Sequence, residues 1–222
     1  MATTTTLKQL TLISAKAPRL PSATPAYDAE YINAFNNILR IYFNQLDNFN
    51  QSLISGDGGQ YLSAPYGAFT DTTNHTAAAA TATAIDFNQT DLANGVSIGT
   101  PTSRIVVVAQ GVYNLQFSVQ ASNDSAQIDD LTIWMRLNGV DIPYSAGLTG
   151  VPNKHGAVNG HVIVAWNFMA AMNAGDYYEL YWTTDSGHTS LVTFPASTVA
   201  PVHPAAPSCI LTMSFVSALP VG

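Results

Sequence analysis

An acid, a histidine and a serine, the side-chain types that a hydrolase uses, lie close together at one point of the sequence. Asp185, His188 and Ser190 fall within six residues, and these are the side-chain types of a catalytic triad. A turn followed by a strand start would point the three in different directions, and no nucleophile elbow is expected. The acids are also too sparse for the paired carboxylates of a glycoside hydrolase. We therefore expect no catalytic site and no enzyme.

Two other clusters carry possible metal ligands. His155 and His161 are separated by Gly-Ala-Val-Asn-Gly, so they form a loop pair without a nearby carboxylate rather than a zinc motif. The segment Asn123-Asp124-Ser125 followed by Asp129-Asp130 offers oxygen atoms of the kind that calcium prefers. A solvated turn is the favoured interpretation of that segment, and we expect no metal and no cofactor.

Arg104 and Arg136 are the only arginines after residue 56. Each could anchor a ligand, but the favoured prediction is that each caps a strand end or pairs with Asp129, Asp130 or Asp141.

Charge is scarce throughout the chain, and this bears on its partners. Only 9% of the residues are charged, the hydrophobic content is 47%, and the net charge is −7. A surface of neutral polar groups suits a protein that packs into a large assembly, because charges are costly to desolvate in an interface. The sequence contains no basic stripe that would predict nucleic-acid binding. It also contains no run that approaches the 18 apolar residues of a membrane span.

Residues 25–55 predict one long helix. Thr24-Pro25 is a plausible helix start, and the Gly-rich residues 56–64 predict a linker after it. The apolar residues alternate spacings of three and four, which is a heptad seam. They are Ile32, Phe35, Leu39, Tyr42, Leu46, Phe49 and Leu53.

Two arrangements fit this helix. It could fold back on its own domain, or it could form a stalk with other copies. The unbroken period of 3.5 residues favours the stalk, and extra apolar residues beside the seam favour three strands over two. We therefore predict a trimerisation stalk.

Residues 1–24 predict an extended arm without a core of its own. A short apolar run, comprising Leu7, Leu10, Leu12 and Ile13, is followed by Pro18 and Pro21. A disordered tail and a docking strand that adds to a neighbour's sheet edge both fit, and docking is slightly favoured.

Residues 65–222 alternate short β-type runs with turn residues, which predicts an antiparallel sandwich or jelly roll. Candidate strands are 81–87, 104–108, 111–120, 131–137, 161–172, 177–183, 190–194 and 209–216. The candidates for core or trimer contacts in this head are Tyr113, Leu115, Phe117, Trp166, Phe168, Tyr178, Tyr181 and Trp182. Periodicity cannot divide them between the two roles.

Several of these pieces resemble the tumour-necrosis-factor-like jelly roll of the complement globular head type. They are Gly-Val-Tyr-Asn-Leu-Gln-Phe at 111–117, Leu-Asn-Gly at 137–139, Asn-Ala-Gly-Asp-Tyr-Tyr-Glu-Leu at 173–180 and the last apolar strand at 209–216. The resemblance implies a homotrimer whose subunits pack side to side around a threefold axis.

Residues 65–217 also resemble virion proteins of marine and cyanobacterial phages. The matching pieces are Pro-Tyr-Gly-Ala-Phe at 65–69, Asn-Gly-Val-Ser-Ile-Gly-Thr-Pro-Thr-Ser-Arg-Ile at 94–105 and Ala-Trp-Asn-Phe at 165–168. This resemblance implies a structural protein on the surface of a phage particle.

The combined expectation is a mainly β protein with an arm, a helical stalk and a trimeric head, attached to capsid or tail proteins through its N-terminal region. A fibre or spike would contact a host glycan or receptor through head loops such as 145–160. A decoration protein that cements the capsid and a carbohydrate-binding adhesive module are the alternatives.

Overall fold

The structure is a computed structural model that describes residues 16–22, 25–54 and 64–219. The chain divides into two compact units, Met1–Ser63 and Ala64–Gly222. Each unit is described by itself below. The predicted docking residues Leu7, Leu10, Leu12 and Ile13, and most of the predicted linker, lie outside the described residues.

In the described residues of the first unit there is one helix, α1 (Ala29–Ile54). It begins four residues later than Thr24-Pro25 predicts, because Asp28 caps it. The Asp28 carboxylate accepts hydrogen bonds from the backbone N–H groups of Glu30 (2.9 Å) and Tyr31 (3.4 Å), which satisfies donors that the first turn leaves unpaired.

The predicted seam runs along one side of α1. Ile32 is exposed, and the other six seam residues are half-buried. Residues 16–22 belong to the same unit and have no regular secondary structure. The Tyr31 hydroxyl donates to the Pro21 carbonyl, and Lys16 and Pro18 line a shallow cleft with Ile38, Ile41 and Tyr42. Part of this segment therefore packs against the helix.

The second unit is built from fourteen strands. In chain order they are β1 (Tyr66–Asp71), β2 (His75–Thr76), β3 (Thr83–Ala84), β4 (Gln89–Asn94), β5 (Val96–Ile98), β6 (Ile105–Val107), β7 (Gly111–Asn123), β8 (Asp129–Leu137), β9 (Val140–Asp141), β10 (Gly147–Val151), β11 (Gly160–Met172), β12 (Tyr177–Thr184), β13 (Thr189–Leu191) and β14 (Cys209–Ser217).

These strands form two seven-stranded sheets. The first sheet has the order β2-β13-β7-β14-β1-β4, and β11 pairs with the other edge of β7. The second sheet has the order β10-β8-β12-β6-β5, with β3 beside β12 and β9 beside β8. All pairings between these strands are antiparallel. A mainly β, antiparallel sandwich preceded by one helix was predicted, and this coarse architecture is confirmed.

The core lies between the two sheets and follows the period-two alternation of the long strands. In β7 the inward residues Tyr113, Leu115, Phe117 and Val119 are all buried. Strand β8 contributes Leu131, Ile133 and Met135 from the opposite sheet, and strand β12 contributes Tyr178, Leu180 and Trp182. Cys209 is a free, buried thiol in the same core.

Several strand predictions need correction. The predicted strand 81–87 is reduced to the two residues of β3, and the run 190–194 ends as a strand at Leu191. The supposed loop 145–160 contains β10, and strands β1 and β4 were not predicted. Strand β1 buries Gly67, Phe69 and Asp71. A glycine and an acid at inward positions hide the apolar alternation on which the prediction depends.

Candidate recognition surfaces

The triad-like residues are not brought together. His188 places its ring nitrogen Nδ1 2.7 Å from a carboxylate oxygen of Asp124, and both side chains are more than half exposed. Ser190 lies in β13, where it pairs with Thr76 and Ser122. The histidine is therefore engaged at a solvated surface by Asp124, an acid from the candidate calcium segment, and not by Asp185.

A Gly-x-Ser-x-Gly pentapeptide does occur at 95–99, contrary to the expectation that no elbow motif exists. Its serine, Ser97, is an exposed residue in the middle of β5 and pairs with Val106. Residues 99–104 then turn directly into β6. A nucleophile elbow needs a sharp strand-to-helix turn, so this pentapeptide has the spacing of the motif without its geometry.

Two of the candidate calcium ligands, Asn123 and Asp129, are used inside the fold. The Asn123 side-chain amide donates to the carbonyls of Gln127 (2.8 Å) and Val151 (3.2 Å). The Asp129 carboxylate is buried and accepts from the Thr184 hydroxyl and from the backbone N–H groups of Ser186 and Thr189, both at 2.9 Å. Burial alone would raise the pKa of Asp129, but these hydrogen bonds outweigh it and lower the pKa to about 2.

Within residues 16–22, 25–54 and 64–219, no three His, Cys, Asp or Glu side chains form a metal cluster.

A connected polar and aromatic network lies on the outer face of the second sheet. The Asp141 atom Oδ1 accepts hydrogen bonds from the Trp134 indole (2.6 Å) and from Arg136 Nε. The Arg136 guanidinium also lies 3.7 Å from the centre of the Tyr181 ring, and Trp134 packs beside that ring at 5.8 Å between centroids. Arg136 thus pairs with Asp141, one of the three acids that were proposed as its partners. The pairing lowers the pKa of Asp141 and raises that of Arg136.

A second arginine is arranged in the same way on this face. The Arg104 guanidinium lies 4.2 Å from the centre of the Tyr177 ring, and its Nε lies 3.7 Å from a Glu179 oxygen. Glu179 is buried and also accepts from the Ser103 hydroxyl at 2.8 Å. Arg104 therefore has a carboxylate partner, although not one of the three that were predicted for it.

The turn after β9 presents one tyrosine in an unusual way. The Ser145 N–H donates to the Ile142 carbonyl across Pro143-Tyr144, which makes a four-residue turn. Tyr144 has a φ of 62° and is fully exposed. The Ser145 hydroxyl fixes this turn to β8, because it accepts from the backbone N–H of Met135 (3.1 Å) and donates to Ile142 (2.8 Å).

The outer face of the first sheet has the opposite character. Strands β11, β7, β14 and β1 carry no Lys, Arg or Glu, and their one acid, Asp71, is buried beneath the sheet. Their outward positions hold mainly small, amide and hydroxyl side chains, together with His161 and the exposed apolar residues Ile163, Met169, Ile210 and Val216. Strand β11 hydrogen-bonds only to β7 among the described strands, so its outer edge is open.

Within a single chain, the predicted head residues lie in three places: the core, its edge and the outer face of the second sheet. Tyr113, Phe117, Tyr178 and Trp182 are buried in the core, as is Leu115. Trp166 and Phe168 are partly buried at the edge of that core, and Tyr181 lies on the outer face of the second sheet.

A β-ribbon of residues 193–207 joins β13 to β14. Backbone pairs between Phe194 and Ala206 and between Ser197 and His203 hold its two arms together. The Phe194 ring packs against His161 of β11 with centroids 5.2 Å apart. Val199 and Val202 at its tip are exposed. Sequence reasoning missed this ribbon, since its four prolines indicate irregular structure.

None of the helices in the described part of the chain is long and apolar enough to cross a membrane. Comparison with known protein families found no family model that matches this chain. A search of curated proteins likewise found no significant match.

Proposed function

We propose that this chain is a homotrimeric structural protein of a tailed-phage particle, fibre-like or spike-like, with no enzymatic activity. Its N-terminal arm and helix attach it to capsid or tail proteins, and its head projects outward. The sequence resemblance across residues 65–217 supports the virion assignment.

The outer face of strands β11, β7, β14 and β1, which bears no Lys, Arg, Glu or exposed Asp, is the observation that supports the trimer. The outer face of the second sheet, by contrast, bears Arg104, Arg136, Glu179 and Asp141, so charge is missing from one face and not from the whole head. Charged side chains are depleted from interface cores because desolvation is costly. A sheet face that exposes Ile163 and Met169 without a flanking charge fits burial against another copy.

The strand orders support the finer fold proposal, a tumour-necrosis-factor-like jelly roll. Such a fold places the long central strands of the two sheets back to back. Here β11, β7, β14 and β1 adjoin in one sheet, and β10, β8, β12 and β6 adjoin in the other.

The helix supports the same symmetry. Its seam residues are at most half-buried in one chain, and three heptads are marginal alone but become stable when an attached head raises their effective concentration.

Mass spectrometry of purified particles, followed by locating the chain in particle images, tests the proposal. We expect the chain in every particle preparation at a few tens of copies. Hundreds of copies at threefold capsid positions would instead identify a decoration protein, and absence from purified particles would overturn the virion assignment.

A further inference from the structure

We infer that the outer face of the second sheet, around Trp134, Arg136, Asp141 and Tyr144, binds a neutral hexopyranose of a surface glycan. This inference deepens the proposed function and rests on it for the biological role of the site. It also moves host contact from the loop 145–160 as a whole to a defined face.

The first argument is the conformation of Tyr144, which destabilises the fold while its side chain makes no stabilising contact. Its φ of 62° lies in the left-handed region, and its position is the third residue of a turn where glycine is the usual occupant. Asn138 also has a positive φ, but its side chain is held by Tyr177 and Asp176. The Tyr144 side chain makes no hydrogen bond or ring contact within the described residues and is fully exposed. A strained, uncovered aromatic is explained by a partner outside the chain.

The second argument is that the polar groups next to this turn are already held in place by hydrogen bonds. Ser145 ties the Tyr144 turn to β8 at Met135, the residue after Trp134. Asp141 holds both the Trp134 indole and Arg136 through its atom Oδ1. Its other oxygen, Oδ2, accepts nothing from the described residues, and the side chain is 58% exposed. An acceptor, a guanidinium and an indole face are thus fixed in place before any ligand arrives, which lowers the entropic cost of binding.

Charge decides what kind of ligand fits. Each guanidinium on this face is matched by a carboxylate, Arg136 by Asp141 and Arg104 by Glu179, so neither is left as an unpaired positive charge to attract phosphate or sulfate. A pyranose offers adjacent hydroxyls that both donate and accept, together with apolar C–H faces that pack on aromatic rings. A neutral sugar therefore satisfies every group on the face, whereas an anion would compete with Asp141 for Arg136.

The test is a titration of the intact chain by ¹H–¹⁵N NMR. The probes are cellohexaose, maltohexaose, chitohexaose and mannohexaose, with heparin as the anionic probe. The chain has three tryptophans, and only the Trp134 indole lies on this face, so its N–H signal is the reporter. We expect a saturable shift with at least one neutral hexasaccharide and none of comparable affinity with heparin.

Three variants make the result specific. We expect Trp134→Ala and Tyr144→Ala each to weaken binding at least tenfold, as judged from backbone shifts. Tyr27→Ala removes another exposed tyrosine, outside the head, and should leave binding unchanged. Shifts that persist in Trp134→Ala and Tyr144→Ala, preference for heparin, or no saturable shift with any neutral probe would overturn the inference. Because binding is measured on the isolated protein, its failure is independent of whether the chain is found in particles.

Discussion

At the scale of single residues, Asp129 shows how one buried carboxylate can hold a turn together. It lies at the start of β8 yet binds the connection between β12 and β13 through Thr184, Ser186 and Thr189. A carboxylate that accepts several hydrogen bonds is stabilised in its charged form. The pKa of about 2 is the consequence, and it ties the stability of this turn to pH.

The sign of that dependence follows from linkage. The folded pKa lies below the unfolded value of about 3.9, so Asp129 contributes about 2 kcal/mol of stability above pH 4, and this is lost as pH falls toward 2. Asp129→Asn should lower the free energy of unfolding at pH 7 by about 3 kcal/mol, since it leaves buried donors poorly paired. It should also reduce the loss of stability between pH 7 and pH 3 by about 1 kcal/mol.

Urea unfolding at both pH values measures these two effects. Asp130→Asn is the matched control, because the Asp130 side chain makes no hydrogen bond within the described residues. An Asp129→Asn variant with the pH dependence of the parent chain would contradict the assignment.

Tyr144 gives a second prediction, about stability rather than binding. Replacing it by glycine removes the cost of a side chain at positive φ, whereas alanine keeps that cost. We expect Tyr144→Gly to be about 1 kcal/mol more stable than Tyr144→Ala in urea unfolding. Equal stability of the two variants would mean that this turn stores no strain.

At the scale of elements, the sequence predicted the long strands well. Strands β7, β8, β11, β12 and β14 were located to within a few residues, because each is a run of eight residues or more that is rich in apolar, β-branched and aromatic side chains and is bounded by turn residues. The alternation of apolar and polar side chains is clear only in β7.

The short strands β1 and β10 were less predictable, since only some of their inward positions are apolar. Strand β10 reads Gly-Leu-Thr-Gly-Val, and its leucine points to solvent while Gly147 packs on the Trp166 ring. The grouping of Trp134 and Tyr181 on the outer face of the second sheet was not predicted, for a related reason. Trp134 and Tyr181 are cross-strand partners, and a pairing register between distant strands is not written in local composition.

Gly160 is an element-scale case in which a glycine is required for a reason that local sequence does not show. An Asn-Gly pair such as Asn159-Gly160 is typical of a turn with positive φ, but Gly160 is not among the positive-φ glycines of the described residues. In the structure, a Cβ at Gly160 would lie 1.8 Å from the Pro152 carbonyl oxygen. The start of β11 therefore packs backbone against backbone, and only glycine fits there.

We expect Gly160→Ala to destabilise the head by more than 3 kcal/mol, because backbone atoms must move to admit the methyl group. Gly175→Ala is the comparison: Gly175 has a φ of 86° but open space around it, so its cost should be only about 1 kcal/mol. Thermal and urea unfolding of both variants would check the difference. A Gly160→Ala protein as stable as Gly175→Ala would show that this approach is looser than described.

At the scale of the whole molecule, the distribution of charge bears on assembly. Residues from 56 onward hold eleven acids and three cations, a formal charge of −8. Three such regions would repel one another if their acids met in an interface. A face free of charge on β11, β7, β14 and β1 would let three copies meet while the acids stay in solvent.

Ser118→Arg tests this arrangement. Ser118 lies on the outer side of β7, between Ala165 of β11 and Ile210 of β14, so a guanidinium there would be buried unpaired in a trimer. We expect the parent chain to be trimeric by native mass spectrometry and light scattering, and Ser118→Arg to dissociate at least tenfold more readily with an unchanged circular dichroism spectrum.

Thr132→Arg places the same side chain on the outer side of β8 and should leave the trimer intact. A parent chain that is a stable monomer would overturn the trimer. A Ser118→Arg variant that remains trimeric would place the interface elsewhere.

The buried thiol of Cys209 has a practical consequence for such work. It is the single cysteine of the chain, and burial, with a further contribution from nearby Asp71, raises its pKa. Since the thiolate is the form that reacts with maleimides, the native protein should stay unlabelled. A cysteine placed at the exposed ribbon tip, as in Val199→Cys, would take a dye or gold cluster at one defined point per copy, marking the position of this ribbon in an electron micrograph.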